Sequence, residues 1–184
     1  MGIAYTVNEN SFTELDSKTA YALGYLFVEP HPGTKRKTRY IVRIGNTKLY
    51  DAAIRAGLTP RKSLTMKFPY IGTSLLPHFI RGFFDGDGCA HIERDSRTQK
   101  PKRLTVAFAS GSKPFLEKLS AILQQETATS IRAVYRNKNT YQLRYSSKDS
   151  AKIFKFMYKG NCAYLKRKYD KFVTYFEESG HVVK

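Results

Sequence analysis

The sequence predicts an α+β protein with an antiparallel sheet, assembled from two unequal copies of one unit. Three observations predict it. Over residues 72–184 the hydrophobic pattern changes period in the order helix, strand, strand, helix, strand, strand, helix, helix, the arrangement of an antiparallel sheet covered by helices. Segments of the first 71 residues recur later in the chain. The formal net charge is +17, and it is spread over patterned segments rather than gathered in a tail. The chain divides accordingly into a shortened N-terminal half, 1–71, and a fuller C-terminal half, 72–184.

The elements follow in order. In DSKTAYALGYLFVEP, Asp16 or Ser17 can cap a helix whose apolar positions are Ala20, Leu23, Gly24, Phe27 and Val28, and Pro30 and Pro32 stop it. TRYIVRIG (38–45) alternates as a strand with Arg39, Ile41 and Arg43 on its outer face. TKLYDAAIRAG (47–57) reads as a helix closed by Gly57. TSLLPHFIRGFF follows, capped by Thr73 or Ser74, with Pro77 tolerated in the first turn and a stripe of Leu75, Leu76, Phe79, Ile80, Phe83 and Phe84.

CAHIE (89–93) and RLTVAFA (103–109) alternate as strands, the second with Leu104, Val106 and Phe108 inward. KPFLEKLSAIL (113–123) is helical, with Phe115, Leu116, Leu119, Ile122 and Leu123 on one side. SIRAVYR (130–136) and TYQLRYS (140–146) form a hairpin around the turn NKN. Helices over 148–160, ending at Gly160, and 163–178 complete the chain.

The repeat relates two helices and two strands. ALGYLFVEP (22–30) aligns with IRGFFDGDG (80–88), and RYIVR (39–43) with TYQLR (140–144). Two copies of one unit imply a pseudo-twofold axis between them. Glu29 lies 11 residues before Tyr40, whereas Asp87 lies 54 before Tyr141, so the first copy lacks part of the sheet and a helix.

Charge narrows the function. Lys and Arg total 32 against 15 acidic residues, and self-repulsion on that scale destabilises a compact chain unless a polyanion offsets it. Solubility alone asks for a net charge of about 2–8. Basic residues recur at 34–39, 60–62, 100–103, 136–139 and 164–168, interleaved with Tyr and Thr. With 41% hydrophobic residues the chain is globular and not a disordered basic arm. Cys89 and Cys162 have no CxxC partner, which speaks against a zinc site or a disulfide framework and for reduced thiols in an intracellular protein. No apolar run reaches the ~18 residues of a membrane span, so no membrane partner is expected.

The two aligned helices end in acids, Glu29 and Asp87, and carry glycine at matching positions, Gly24 and Gly82. Small residues there let helices touch at backbone distance. Two carboxylates brought together repel until cations neutralise them, and such oxygen ligands suit Mg²⁺. Two divalent ions facing a phosphodiester is the two-metal arrangement for hydrolysis. A two-stranded ribbon with a basic face fits the major groove of DNA.

IRGFFDGDG, with ALGYLFVEP as a looser second copy and a C-terminal LKRK (165–168), resembles the signature of the LAGLIDADG homing endonucleases. The resemblance covers roughly residues 16–176. It implies motif helices packed at the centre of two pseudosymmetric αββαββα halves, each laying a saddle-shaped sheet in the major groove. It implies a site-specific DNA endonuclease, borne by an intron or another mobile element, that acts as a monomer on double-stranded DNA. Mg²⁺ would be the cofactor, with Mn²⁺ or Ca²⁺ as substitutes.

Residue by residue, Asp87 matches the family's metal-binding acid and Glu29 its partner, with the carbonyls of Gly86 and Val28 completing the metal shell. Lys168 matches the lysine that polarises the phosphate or activates water, and Lys62 is its repeat mate. Ser110 matches a polar residue contacting the water network. Pro30 and Val28 depart from the motif. With the shortened first copy, they keep open a nicking or cleavage-deficient relative that binds DNA or intron RNA.

Alternation assigns the DNA-facing side chains. With Leu104, Val106 and Phe108 inward, Arg103 and Thr105 face out, and the same phase exposes His91 and Glu93, Arg132 and Arg136, and Thr140, Gln142 and Arg144. Arg39 and Arg43 do the same in the first copy, and Arg and Gln can read guanine and adenine edges. Lys35, Arg36, Lys37 and Lys138, in loops, are expected on phosphates.

Overall fold

The protein is described by a computed structural model covering residues 15–27, 47–55, 57 and 66–180. Among the described residues six helices and four strands follow one another: α1 (Ser17–Leu26), α2 (Thr47–Arg55), a 3-10 turn (Thr73–Leu75) leading into α3 (Leu76–Asp87), β1 (Cys89–Arg94), β2 (Pro101–Ser110), α4 (Lys113–Thr127), β3 (Tyr135–Asn137), β4 (Thr140–Ser146), α5 (Lys148–Met157) and α6 (Lys166–Ser179). The strand predicted over 38–45 lies outside the described residues.

Local chemistry explains the helix ends. Asp16 caps α1: its Oδ1 accepts from Thr19 N at 2.7 Å while Asp16 N donates back to Thr19 Oγ1 at 2.8 Å, a capping box. Pro77 enters α3 in its first turn, where no backbone donor is lost. Ser112 caps α4, and its hydroxyl donates to the Met66 carbonyl at 2.6 Å.

The sheet is antiparallel throughout, in the order β1-β2-β4-β3. One face is core. Leu104, Val106, Phe108, Leu143 and Tyr145 are buried there, against a set of rings contributed by the helices. Phe83 lies 4.8 Å from Phe115 and 6.2 Å from Phe108, and Phe84 lies 5.7 Å from Phe172. Such aromatic pairs add to the area they bury, about 0.5–1.5 kcal/mol each. On the opposite face the register brings Cys89, Ala107 and Arg144 into one row, His91, Thr105 and Ser146 into the next, and Glu93 beside Arg103. None of these is buried.

The second hairpin differs from expectation. Only Tyr135–Asn137 pairs with β4; residues 130–134 form no strand. Their polar groups go to helices instead. Arg132 N donates to Ser120 Oγ at 3.1 Å, Ser120 Oγ donates to the Arg132 carbonyl at 3.3 Å, and Ser130 N donates to Asp149 Oδ2 at 3.4 Å. A backbone satisfied by side chains has no need of a ladder. The hairpin closes through Lys138, whose φ of 54° is left-handed, as tight hairpin turns require.

Candidate active site and nucleic-acid interface

The site begins where α1 touches α3. A Cβ built on Gly24 would lie 2.0 Å from the Phe79 carbonyl oxygen and 2.9 Å from Phe83 N. One built on Gly82 would lie 2.0 Å from the Tyr21 carbonyl oxygen and 2.9 Å from Tyr25 N. Adding 58, the offset between the glycines, turns Tyr21 and Tyr25 into Phe79 and Phe83. The contact is therefore pseudo-twofold, and it is made by main chain against main chain.

Beyond this contact α3 ends in Gly86 and Asp87, both half-buried. Carbonyl oxygens collect at a helix C-terminus and make it electronegative, and Asp87 adds a carboxylate. That donor set is all oxygen and accessible, which fits a hard divalent cation. Among the described residues no group of three or more His, Cys, Asp or Glu could hold a metal, so the remaining ligands would come from elsewhere. Glu29 and Val28, the expected second half, lie outside the described residues, as do Lys62, Lys35, Arg36, Lys37, Arg39 and Arg43.

Three side chains fix the end of α3. Lys168, only 5% exposed, donates to the carbonyls of Phe84 at 2.7 Å and Gly88 at 2.6 Å, with its Nζ 3.5 Å from the Gly86 oxygen and 5.2 Å from the Phe84 ring centre. Burial, helped by Arg167, pulls its ammonium down to about 8, although Asp85 and Asp87 oppose this. The lysine expected on the phosphate thus grips the carbonyls around the acid.

Asp85, 1% exposed, accepts from Tyr21 Oη at 3.0 Å and from Leu165 N, at the start of α6, at 2.9 Å. Burial raises its pKa. Arg81, equally buried, donates to the carbonyls of Ala163 (2.7 Å) and Met157, contacts His78 Nδ1 at 2.9 Å, and lies over the Tyr21 ring. The motif helix is thereby tied to the segment entering α6 and so to Lys168. Asp85, Arg81 and Tyr21 were not among the predicted site residues. The available signal was two charged residues, four apart, inside an otherwise apolar helix.

The outer sheet face carries His91, Glu93, Arg103, Thr105, Gln142 and Arg144 together. Glu93 lies 3.6 Å from Arg103 and 4.0 Å from Lys102. Thr140, two residues before Gln142 on the same strand, donates to the Asn137 carbonyl at 3.2 Å, and exposed Lys138 is at the hairpin tip.

Three residues expected among them stand elsewhere. Arg132 is in the loop before β3, its guanidinium 3.2 Å from Asp149 of α5. Arg136 is exposed but on the opposite face, because Tyr135, not Arg136, pairs with Gln142; a one-residue change of phase exchanges the faces. Ser110 has the inward parity of Phe108, is buried, and accepts from Ser112 N at 3.1 Å.

A four-stranded antiparallel sheet with one open, cation-bearing face, joined to a glycine-packed helix that ends in an acid, makes up an α+β domain. The family model of the LAGLIDADG-like domain matches residues 75–157, from the end of the 3-10 turn before α3 to the end of α5, so this part of the chain is similar to the LAGLIDADG-like domain. A comparison with curated proteins finds no match. No described helix is long and apolar enough to cross a membrane.

Proposed function

We propose that the protein is a site-specific double-strand DNA endonuclease that hydrolyses phosphodiester bonds with a divalent metal. The observation that carries the reading is the reciprocal contact of Gly24 and Gly82, which relates α1 to α3 as pseudosymmetric mates and so makes Glu29 the counterpart of Asp87. Asp87 and the Gly86 carbonyl would hold Mg²⁺, with Glu29 and the Val28 carbonyl as their mates. When bound, the ion lowers the pKa of its water and neutralises charge on the phosphate. The open face of the sheet supplies Arg103, Gln142 and Arg144 to the major groove, and Lys138 to a phosphate. Lys168 and Asp85 hold the acid-bearing helix end in place. Two motif copies in one chain support action as a monomer, the family resemblance supports an intron or other mobile element as its carrier, and two unpaired cysteines support a place inside the cell.

The test is cleavage of a sequence selected from a DNA library with Mg²⁺. Asp87→Asn should stop scission and leave binding intact. Equal cutting by that variant removes the assignment.

A second reading is a relative that binds DNA or intron RNA without cutting. Lys168 favours it: its ammonium, 3.5 Å from the Gly86 oxygen, opposes a metal ion at the same carbonyl. Tight, salt-sensitive binding with no scission in Mg²⁺ or Mn²⁺ would select this reading.

A further inference from the structure

The outer face contains one assembled group of side chains. Gln142 Oε1 accepts from Arg144 Nε at 3.0 Å, from Arg144 Nη2 at 2.7 Å and from Tyr135 Oη at 3.1 Å. Arg144 lies over the Tyr135 ring, 5.3 Å from its centre. The orientation of the Gln142 amide is fixed by chemistry. A guanidinium only donates, so the atom facing Arg144 is the oxygen. The strand register places Ala107 beside Arg144 and Ala109 beside Gln142, so the neighbouring strand offers only methyl groups and leaves the group standing clear.

Two consequences follow. Adenine recognition by glutamine needs its amide oxygen and nitrogen together, one accepting from N6 and the other donating to N7. The Gln142 oxygen is already engaged by three donors. Arg144, in turn, uses its Nε/Nη2 edge on Gln142. Its other two-donor edge, Nη1/Nη2, has no second acceptor among the described residues, and it is the edge that matches guanine O6 and N7. The ring of Tyr135 below and the Gln142 oxygen beside it remove the freedom a lone surface arginine must lose on binding.

We propose that Arg144 is a specificity-determining residue that selects guanine in the major groove, and that Gln142 and Tyr135 position it, Gln142 reading no adenine of its own. This rests on the DNA-binding reading above and adds to it the identity of one base. The Arg144 edge presents only donors, so it discriminates by accepting atoms on the base edge.

The experiment is selection from a random-sequence duplex library in Ca²⁺, run with the parent, Arg144→Ala and Gln142→Ala. The parent should enrich a motif with a guanine whose preference vanishes in Arg144→Ala while the rest persists. Gln142→Ala should weaken that same guanine and erase no adenine. Replacing that guanine by 7-deazaguanine should lower parent affinity, within the roughly 5- to 150-fold that a good two-donor contact discriminates, and leave Arg144→Ala unaffected. A motif with no guanine sensitive to Arg144→Ala, an adenine preference lost in Gln142→Ala, or indifference of the parent to 7-deazaguanine overturns the inference and leaves DNA binding standing. Failure of the parent to enrich any sequence sinks both.

Discussion

Gly24 and Gly82 each stand where a methyl group would lie 2.0 Å from a carbonyl oxygen of the other's helix. Neither obstacle is a side chain that can turn aside. Gly24→Ala or Gly82→Ala should therefore cost more than the ~1–3 kcal/mol usual for overpacking. Gly72→Ala is the control, because nothing lies within 4 Å of a Cβ there and its φ of -59° suits any residue; a change within about 0.5 kcal/mol is expected. Denaturant midpoints of the three variants check this.

Lys168 makes stability depend on alkaline pH. In the unfolded chain its pKa is about 10.4, and in the fold burial brings it to about 8. Between those values the unfolded chain holds more protons, so this group adds stability as pH rises from about 8 towards 10. Its penalty is full below that window and gone above it. Lys168→Met removes the dependence and takes the ammonium from the Gly88 carbonyl and from the Phe84 carbonyl, which keeps Gly88 N at 2.7 Å, costing roughly 1–3 kcal/mol near neutrality. Unfolding free energies of parent and variant at pH 7.5 and 9.5 should differ more at the higher pH.

Arg132 should matter to the fold and not to the ligand. Its partner Asp149 has an 11% exposed side chain, while its own is 43% exposed. Such a pair is worth up to about 1 kcal/mol. Arg132→Ala should lower the melting temperature slightly and leave duplex affinity unchanged, whereas Arg103→Ala should weaken it. Anisotropy titrations of one labelled duplex against all three proteins decide the matter.

Binding should be governed by salt. With a net charge of +17 and cations along an open sheet face, phosphate neutralisation releases counterions. Affinity should fall at least tenfold between about 50 and 200 mM salt. Lys138→Ala should reduce the slope of log affinity against log salt by about one and weaken all sequences alike.

What could be foreseen from the sequence follows the strength of each local pattern. Leu104, Val106 and Phe108 declare their face because a one-sided sheet rejects the alternative phase, and all three are fully buried. Around Arg132 the alternation was misleading: arginine tolerates a helix-side ion pair as well as an open strand face, and Ser120 and Asp149, distant in sequence, decide the backbone's partners. Gly82 was legible as a contact point because the repeat sets it at the position of Gly24. The grip of Lys168 on Phe84 and Gly88 was not, since it joins residues 84 and 80 positions apart and involves main-chain atoms, which carry no signature. Ser110 shares the inward parity of Phe108 on its own strand, and a motif match carries no information about that parity.

The support of Asp87 has a temporal consequence. The acid appears near the middle of the chain, but the groups that hold its helix end, Leu165 N and the Lys168 ammonium, belong to α6. During synthesis the ribosome delivers the carboxylate first and its brace last. A nascent chain stalled before residue 165 would lack the bonds that both of these groups make to the end of α3.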